Sequence, residues 1–144
     1  MHITQNKNRD ITLTQKAYSK YMLEHFKMNH CVPTSTLLPP GSLLSIDDYL
    51  IISQKTSEMA KTLYYEALGS LMWLQVITHP NLTYAMNILF WFLHDPGRSY
   101  WNALKHILAY IKETIDYGIT YRRGETLNPI GYVDSDYIGC KYKA

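Results

Sequence analysis

Asp134 and Asp136 are the residues best placed, by type and spacing, to do chemistry. They stand near the end of LNPIGYVDSDY, Leu127–Tyr137, which reads as a buried strand delivering carboxylates to its tip. On a strand, residues two apart share a face, so both carboxylates point one way and Ser135 the other. The chemistry such a tip supports is divalent-cation binding. Two cations about 4 Å apart repel each other unless several anionic ligands surround them, so one acidic cluster is only part of a metal site. Residues 138–144 alone follow in this sequence. The expectation is therefore a piece of a larger nucleic-acid enzyme, non-catalytic by itself and with no cofactor of its own. A turn in which these Asp side chains cap the strand end stays open as the bland alternative.

A second set could bind phosphates. Between Gly97 and Gly124, Arg98, Lys105, Lys112, Arg122 and Arg123 face only Glu113 and Asp116, with His106 in addition. A local basic stretch can contact a phosphate backbone while the whole chain stays near neutral, here +2 from 14 basic and 12 acidic residues. A solvated helix face explains the same residues equally well. The 13 Tyr, 3 Trp and 3 Phe offer surfaces for stacking bases, although helix packing is the more ordinary use of such residues. Asp47, Asp48, Glu58 and Glu66 read as solvating groups.

Other classes recede. Cys31 and Cys140 are too few for a zinc-ligand pattern, and free thiols in a reducing interior, cytoplasmic or nuclear, are expected. Residues 67–93 lack Asp, Glu, Lys and Arg, but Gln75, His79, Pro80, Asn81 and Asn87 interrupt them, so two core helices rather than a membrane span are expected.

These groups must be positioned by the elements around them. His2–Gln5 and Asp10–Leu13 alternate about a polar turn and read as a β-hairpin. Thr14 is placed to cap a helix whose Tyr18, Met22 and Phe26 make one stripe. Val32–Ser45, with Pro33, Pro39, Pro40 and Gly41, reads as an extended connector and a possible hinge. A helix from Ser57 to Ile77 should place Leu68, Leu71, Met72 and Gln75 on one side, with Gly69 and Ser70 allowing close helix approach. After Pro80, Leu82, Ala85, Met86, Leu89 and Leu93 form a second stripe. Ser99 is placed to cap a third helix carrying Trp101, Leu104, Leu108 and Ile111. Gly118 ends the helical pattern, and Ile119–Tyr121 should pair across the turn at Arg122–Glu125 with the strand leading to Asp134. The predicted fold class is α+β: a β-hairpin and helix, a three-helix bundle, then a C-terminal β-hairpin.

Four stretches, ITLTQKAYSKYMLEHFKMNHC, YYEALGSLMWLQVITHPNLTYAMNILFWFLHDP, YWNALKHILAYIKETIDYGITYRRG and NPIGYVDSDYIGC, cover nearly the whole chain. Together, in order and spacing, they resemble the Pol polyprotein of copia-type long-terminal-repeat retrotransposons. The resemblance implies that residues 1–30 are the end of the reverse transcriptase palm entering its thumb. Residues 31–55 would be a linker, 56–116 helical thumb and connection, and 117–144 the first strands of ribonuclease H. It implies that Asp134 is a catalytic, metal-binding carboxylate of ribonuclease H, with Mg2+ as the parent enzyme's cofactor. The implied partners are an RNA–DNA hybrid, held through Arg98, Lys105, Lys112, Arg122 and Arg123, and the rest of the Pol polyprotein. Tyr132-Val133-Asp134 looks like the start of the polymerase motif, but that motif needs adjacent carboxylates and Ser135 intervenes.

The chain departs from the family pattern at His79, Asn81, Phe90-Trp91 and Glu113, where Arg, Asp, Ser-Arg and Gly are usual. Several of these changes share one mutational direction, which suggests a decaying genomic copy. Asn81 is expected to keep a helix cap while dropping its charge. Two other functions remain in view: a helical protein-interaction module with an aromatic surface, and an enzyme completed in trans by another chain.

Overall fold

The computed structural model describes residues 1–38, 58–91, 93, 98–124 and 131. In chain order they form β1 (His2–Gln5), β2 (Ile11–Thr14), α1 (Lys16–His25), α2 (Glu58–Ile77), a 3-10 turn (Pro80–Leu82), α3 (Thr83–Trp91), α4 (Arg98–Glu113) and β3 (Gly118–Tyr121). Helices and a small antiparallel sheet occur together, the α+β class expected.

The core is helical. On α4, Tyr100, Leu104, Ile107, Leu108 and Ile111 recur with helical period and are buried. They meet Tyr64, Leu68, Leu71 and Leu74 of α2, Ala85, Met86 and Leu89 of α3, and Met22 and Leu23 of α1 in one cluster. Each large side chain so removed from water contributes roughly 1.5–3 kcal/mol. α1 thus shares a core with the three later helices. Tyr64 also donates from its buried hydroxyl to the Leu89 carbonyl at 3.2 Å.

Two details of α2 differ from expectation. Met72 is 49% exposed, so the buried side runs through Leu71 and Leu74 instead. Among the described residues a Cβ built on Gly69 would meet nothing within 4 Å, so none of them makes a close helix approach at this glycine.

The chain leaves α1 through Lys27, whose φ of 56° is left-handed. The Met28 amide donates to the Leu23 carbonyl at 2.7 Å and the Lys27 amide to that of Glu24 at 3.0 Å. This is the paired-bond Schellman ending, and Met28 packs against the core cluster to which Leu23 belongs. Beyond it the connector is pinned to α4. Lys112 Nζ donates to the carbonyls of Asn29 at 2.9 Å and Cys31 at 2.7 Å. Thr36 Oγ1 lies 3.0 Å from His106 Nε2, and Leu37 and Leu38 pack on the core.

The sheet has the order β1-β2-β3. β2 pairs with β1 in the register Ile3↔Leu13 and with β3 in the register Leu13↔Ile119. The first hairpin matches expectation, while the pairing of β3 with β2 unites residues that sequence reading had assigned to separate hairpins. The expected partner of β3, the strand from Leu127, lies outside the described residues. Gly118 makes the β2–β3 pairing possible, because a Cβ there would fall 2.3 Å from the Leu13 carbonyl oxygen. The residue expected to cap α1, Thr14, is the last residue of β2; the cap position is Gln15, whose side chain makes no capping bond. Ser99 likewise lies within α4 rather than before it.

Candidate nucleic-acid interface

Asp134 and Asp136 lie outside the described residues, so the expected carboxylate tip has no geometry here. Among the described residues no group of three or more His, Cys, Asp and Glu side chains could hold a metal ion.

The basic residues divide into two groups. Arg98, Lys105 and Lys112 sit seven apart on α4, hence on one side of the helix, over a length of about 21 Å at 1.5 Å per residue. Lys105 Nζ stands 5.7 Å from the ring centroid of Trp101. That indole is half-buried against Tyr64, with ring centroids 6.0 Å apart. A cation held beside an anchored aromatic suits phosphate and base contact. Lys112 donates to the Asn29 and Cys31 carbonyls and binds the connector to α4.

Arg122 and Arg123 belong to the sheet end. The Arg123 amide donates to Asp10 Oδ1 at 3.0 Å. This bond, then the Asn6 side-chain bond, hold the Asp10 carboxyl below its usual range, with Arg122 adding a smaller charge effect. Arg123 therefore closes the turn after β3 onto the β1–β2 turn. Its backbone, not its guanidinium, supplies that contact.

A buried polar junction had no forecast from sequence. Thr78 Oγ1 lies 2.7 Å from Gln15 Oε1 and 2.8 Å from His79 Nδ1, while His79 Nε2 lies 3.4 Å from the Thr114 carbonyl. Gln15, Thr78, His79 and Thr114 are all buried, and the Gln15 amide nitrogen has no partner in this orientation. Turning that amide by half a rotation gives an acceptor to the Thr78 and His79 protons and to one of the two Gln15 amide protons. Gln15 then donates to Thr78, Thr78 donates to His79 Nδ1, and His79 Nε2–H donates to the Thr114 carbonyl. This order requires a neutral imidazole, and desolvation lowers the His79 pKa in that direction against the opposing Thr114 bond. The junction joins the start of α1 to the ends of α2 and α4. The Lys16–Asp116 ion pair adds a second tie between α1 and the segment after α4.

Asn81 does not cap a helix as expected. Its Nδ2 donates to the Tyr110 hydroxyl at 2.6 Å, and the residue at the cap of the 3-10 turn is His79. His79 and Asn81, two of the departures from the family pattern, are thus both built into contacts with α4 or its end. Trp91, a third, is 65% exposed.

Among the described residues, no helix is long and apolar enough to cross a membrane. No protein-family model matches the chain, and no solved structure resembles it significantly. Curated proteins do. The chain is 31% identical over 137 residues to the retrovirus-related Pol polyprotein from transposon TNT 1-94 of Nicotiana tabacum, covering 95% of this chain and 10% of that protein. It is 32% identical over 127 residues to the Pol polyprotein from transposon RE2 of Arabidopsis thaliana, covering 88% and 8% respectively. It is also 40% identical over 76 residues to secreted RxLR effector protein 161 of Plasmopara viticola, covering 53% of this chain and 54% of that one. Homologues of this chain are therefore retrovirus-related Pol polyproteins of plant transposons, and it spans about a tenth of their length.

Proposed function

We propose that this homologue of plant-transposon Pol polyproteins is a segment of a copia-type reverse transcriptase, running from the end of its palm through the thumb and connection toward ribonuclease H. The observation that carries this reading is the alignment to the tobacco polyprotein along 95% of the chain. The four ordered blocks of sequence support the narrower position within it.

The work of such a segment is to hold a template–primer hybrid by its backbone and steer it toward catalytic metals supplied elsewhere. Arg98 and Lys105 would neutralise phosphates along the solvent side of α4, with Trp101 offering a face to a sugar or base. Arg122 and Arg123 are a second positive group at the sheet end. Mg2+ in the parent enzyme would be held by carboxylates including Asp134; the described residues offer no ligand set, so no catalytic step is derived for this chain.

The reading is tested by fluorescence anisotropy with an RNA–DNA hybrid over a salt series. Arg98→Ala with Lys105→Ala should weaken binding and reduce the logarithmic salt slope by about 2. Binding whose slope is unchanged in that variant would sink the α4 assignment.

A second reading is favoured by one observation. Tyr65, Met72, Trp73 and Val76 lie along one side of α2 and are 43–72% exposed. That stripe fits a helical protein-interaction module, whose binding would be insensitive to salt.

A further inference from the structure

We infer that the apolar face of the three-stranded sheet is a docking face for the polypeptide that flanks this segment in Pol polyproteins. The inference rests on the polyprotein reading and names a surface and occupant for it.

The register sorts the strand residues by face. With a period of two, Ile3, Leu13 and Ile119 form one row and Gln5, Ile11 and Tyr121 the next on the same face. The opposite face carries Thr4, Thr12 and Thr120, with Thr12 and Thr120 hydroxyls 2.9 Å apart. One side is thus a threonine surface suited to water, and the other holds four aliphatic side chains and a tyrosine without a charge. Yet the apolar side is only partly covered: Leu13 and Ile119 are half-buried, while Ile3 is 57%, Ile11 40% and Tyr121 56% exposed. Among the described residues, none of this face belongs to the helical core cluster or to the hydrophobics packed against it. A sheet with one hydrophobic face is stable in a domain when another layer covers that face.

The occupant follows from topology. β1 starts at His2 and β3 ends at Tyr121, so the sheet gathers strands from near both ends of the described region. In the tobacco polyprotein the matching segment is 10% of the chain, and the match extends over 95% of the present sequence. Polypeptide that precedes the matching segment in such a protein is therefore joined close to β1, and covalent attachment gives it a high effective concentration there. A flanking layer presenting its own apolar surface fits this uncharged face; a nucleic acid, whose backbone asks for cations, does not.

The test titrates the whole chain calorimetrically with a recombinant piece of the tobacco polyprotein that immediately precedes its matching segment. The matching tobacco segment is titrated in parallel. Binding with a negative heat-capacity change is expected. Ile3→Glu with Ile11→Glu should weaken it at least about tenfold, whereas Thr4→Glu, on the same strand but the opposite face, should leave it unchanged. Both sites are exposed, so helical circular dichroism should be the same in all three proteins. The inference is overturned if the probe fails to bind this chain, whatever it does with the tobacco segment, or if Thr4→Glu costs as much as the isoleucine pair. Sedimentation showing a dimer that the isoleucine variant dissociates would also overturn it, because a second copy would then be the occupant. The hybrid assay on α4 is separate: lost docking with intact hybrid binding sinks this inference alone, and the reverse sinks only the nucleic-acid assignment.

Discussion

The helices and the sheet solve the same problem with unequal success. Four helices turn their apolar stripes toward one another, and Tyr64, Leu71, Leu74, Leu89, Leu104 and Ile107 are wholly buried among them. The three strands place apolar residues on one face and leave Ile3, Ile11 and Tyr121 exposed, with Leu13 and Ile119 half-buried. They are held instead by their ladders, the Thr12–Thr120 contact and the Asp10–Arg123 bond. A helical layer whose stabilising surface lies inside can stand alone; a small sheet whose apolar surface lies outside is marginal until covered. The two regions should accordingly differ in what breaks them.

The largest effect belongs in the helical layer. Leu104 sits at the centre of the cluster with no exposure. Leu104→Ala should cost about 2–5 kcal/mol, from lost transfer energy plus the cavity left behind. Thermal unfolding should show α1 and the later helices losing structure together, since they share this core. Separate transitions would break the view of one cooperative helical layer.

Gly118→Ala probes the other region. The new methyl would press on the Leu13 carbonyl, which is backbone and cannot swing aside, so β3 must shift at a cost of roughly 1–3 kcal/mol. Because no strand residue belongs to the helical core cluster among the described residues, amide exchange should accelerate in β2 and β3 while the α4 amides stay protected. Equal loss of protection in both regions would show that sheet and helices are one unit.

The same contrast explains what the sequence could tell. Helix positions were legible because burial repeats with the helical period: Leu104, Leu108 and Ile111 identify the inner side of α4 without any knowledge of partners. The hairpin was legible from its alternation and polar turn. The β2–β3 pairing was not, because it joins residues over a hundred positions apart and no local pattern encodes which strand a third one chooses. Lys105 could be picked out as a cation by type, whereas its place beside Trp101, read as part of the apolar stripe, and the capture of Lys112 by two connector carbonyls depend on how the chain packs. The Gln15–Thr78–His79–Thr114 junction was invisible for a similar reason. Only His79 attracted notice, as a departure from a family pattern, and nothing local signals that it is buried against the end of α4.

Acid should act on the two regions in different windows. Desolvation lowers the His79 pKa from its usual 6.5, so the unfolded chain binds this proton more readily than the folded one. The junction's contribution is present above about 6.5 and declines as pH falls toward the lower folded value. Urea midpoints measured between pH 7.5 and 5 should fall, and His79→Gln should remove most of that dependence. Asp10 responds later. Its folded pKa lies below the usual 3.8, first through the Arg123 amide and then through Asn6, so its contribution persists above that value and is lost as pH drops through the lower folded one. Exchange of sheet amides, not helical ones, should report that second loss.

The smallest expected effect is a gain, and it tests how self-contained the helical layer is. Lys27 adopts φ of 56° at the end of α1, a conformation in which a Cβ crowds the neighbouring carbonyl. Its amide and that of Met28 are already engaged with Glu24 and Leu23, so glycine would keep both bonds and relieve the crowding. Against this stands the greater backbone entropy of glycine in the unfolded chain. The balance should favour Lys27→Gly by about 0.5–1 kcal/mol, seen as a rise of a few degrees in the thermal midpoint. Because Leu23 and Met28 connect this turn to the shared core, the gain should appear in the global helical transition and leave sheet exchange untouched. A stabilisation confined to local fraying of α1 would mean that its end is coupled to the core more weakly than Leu23, only 3% exposed, implies.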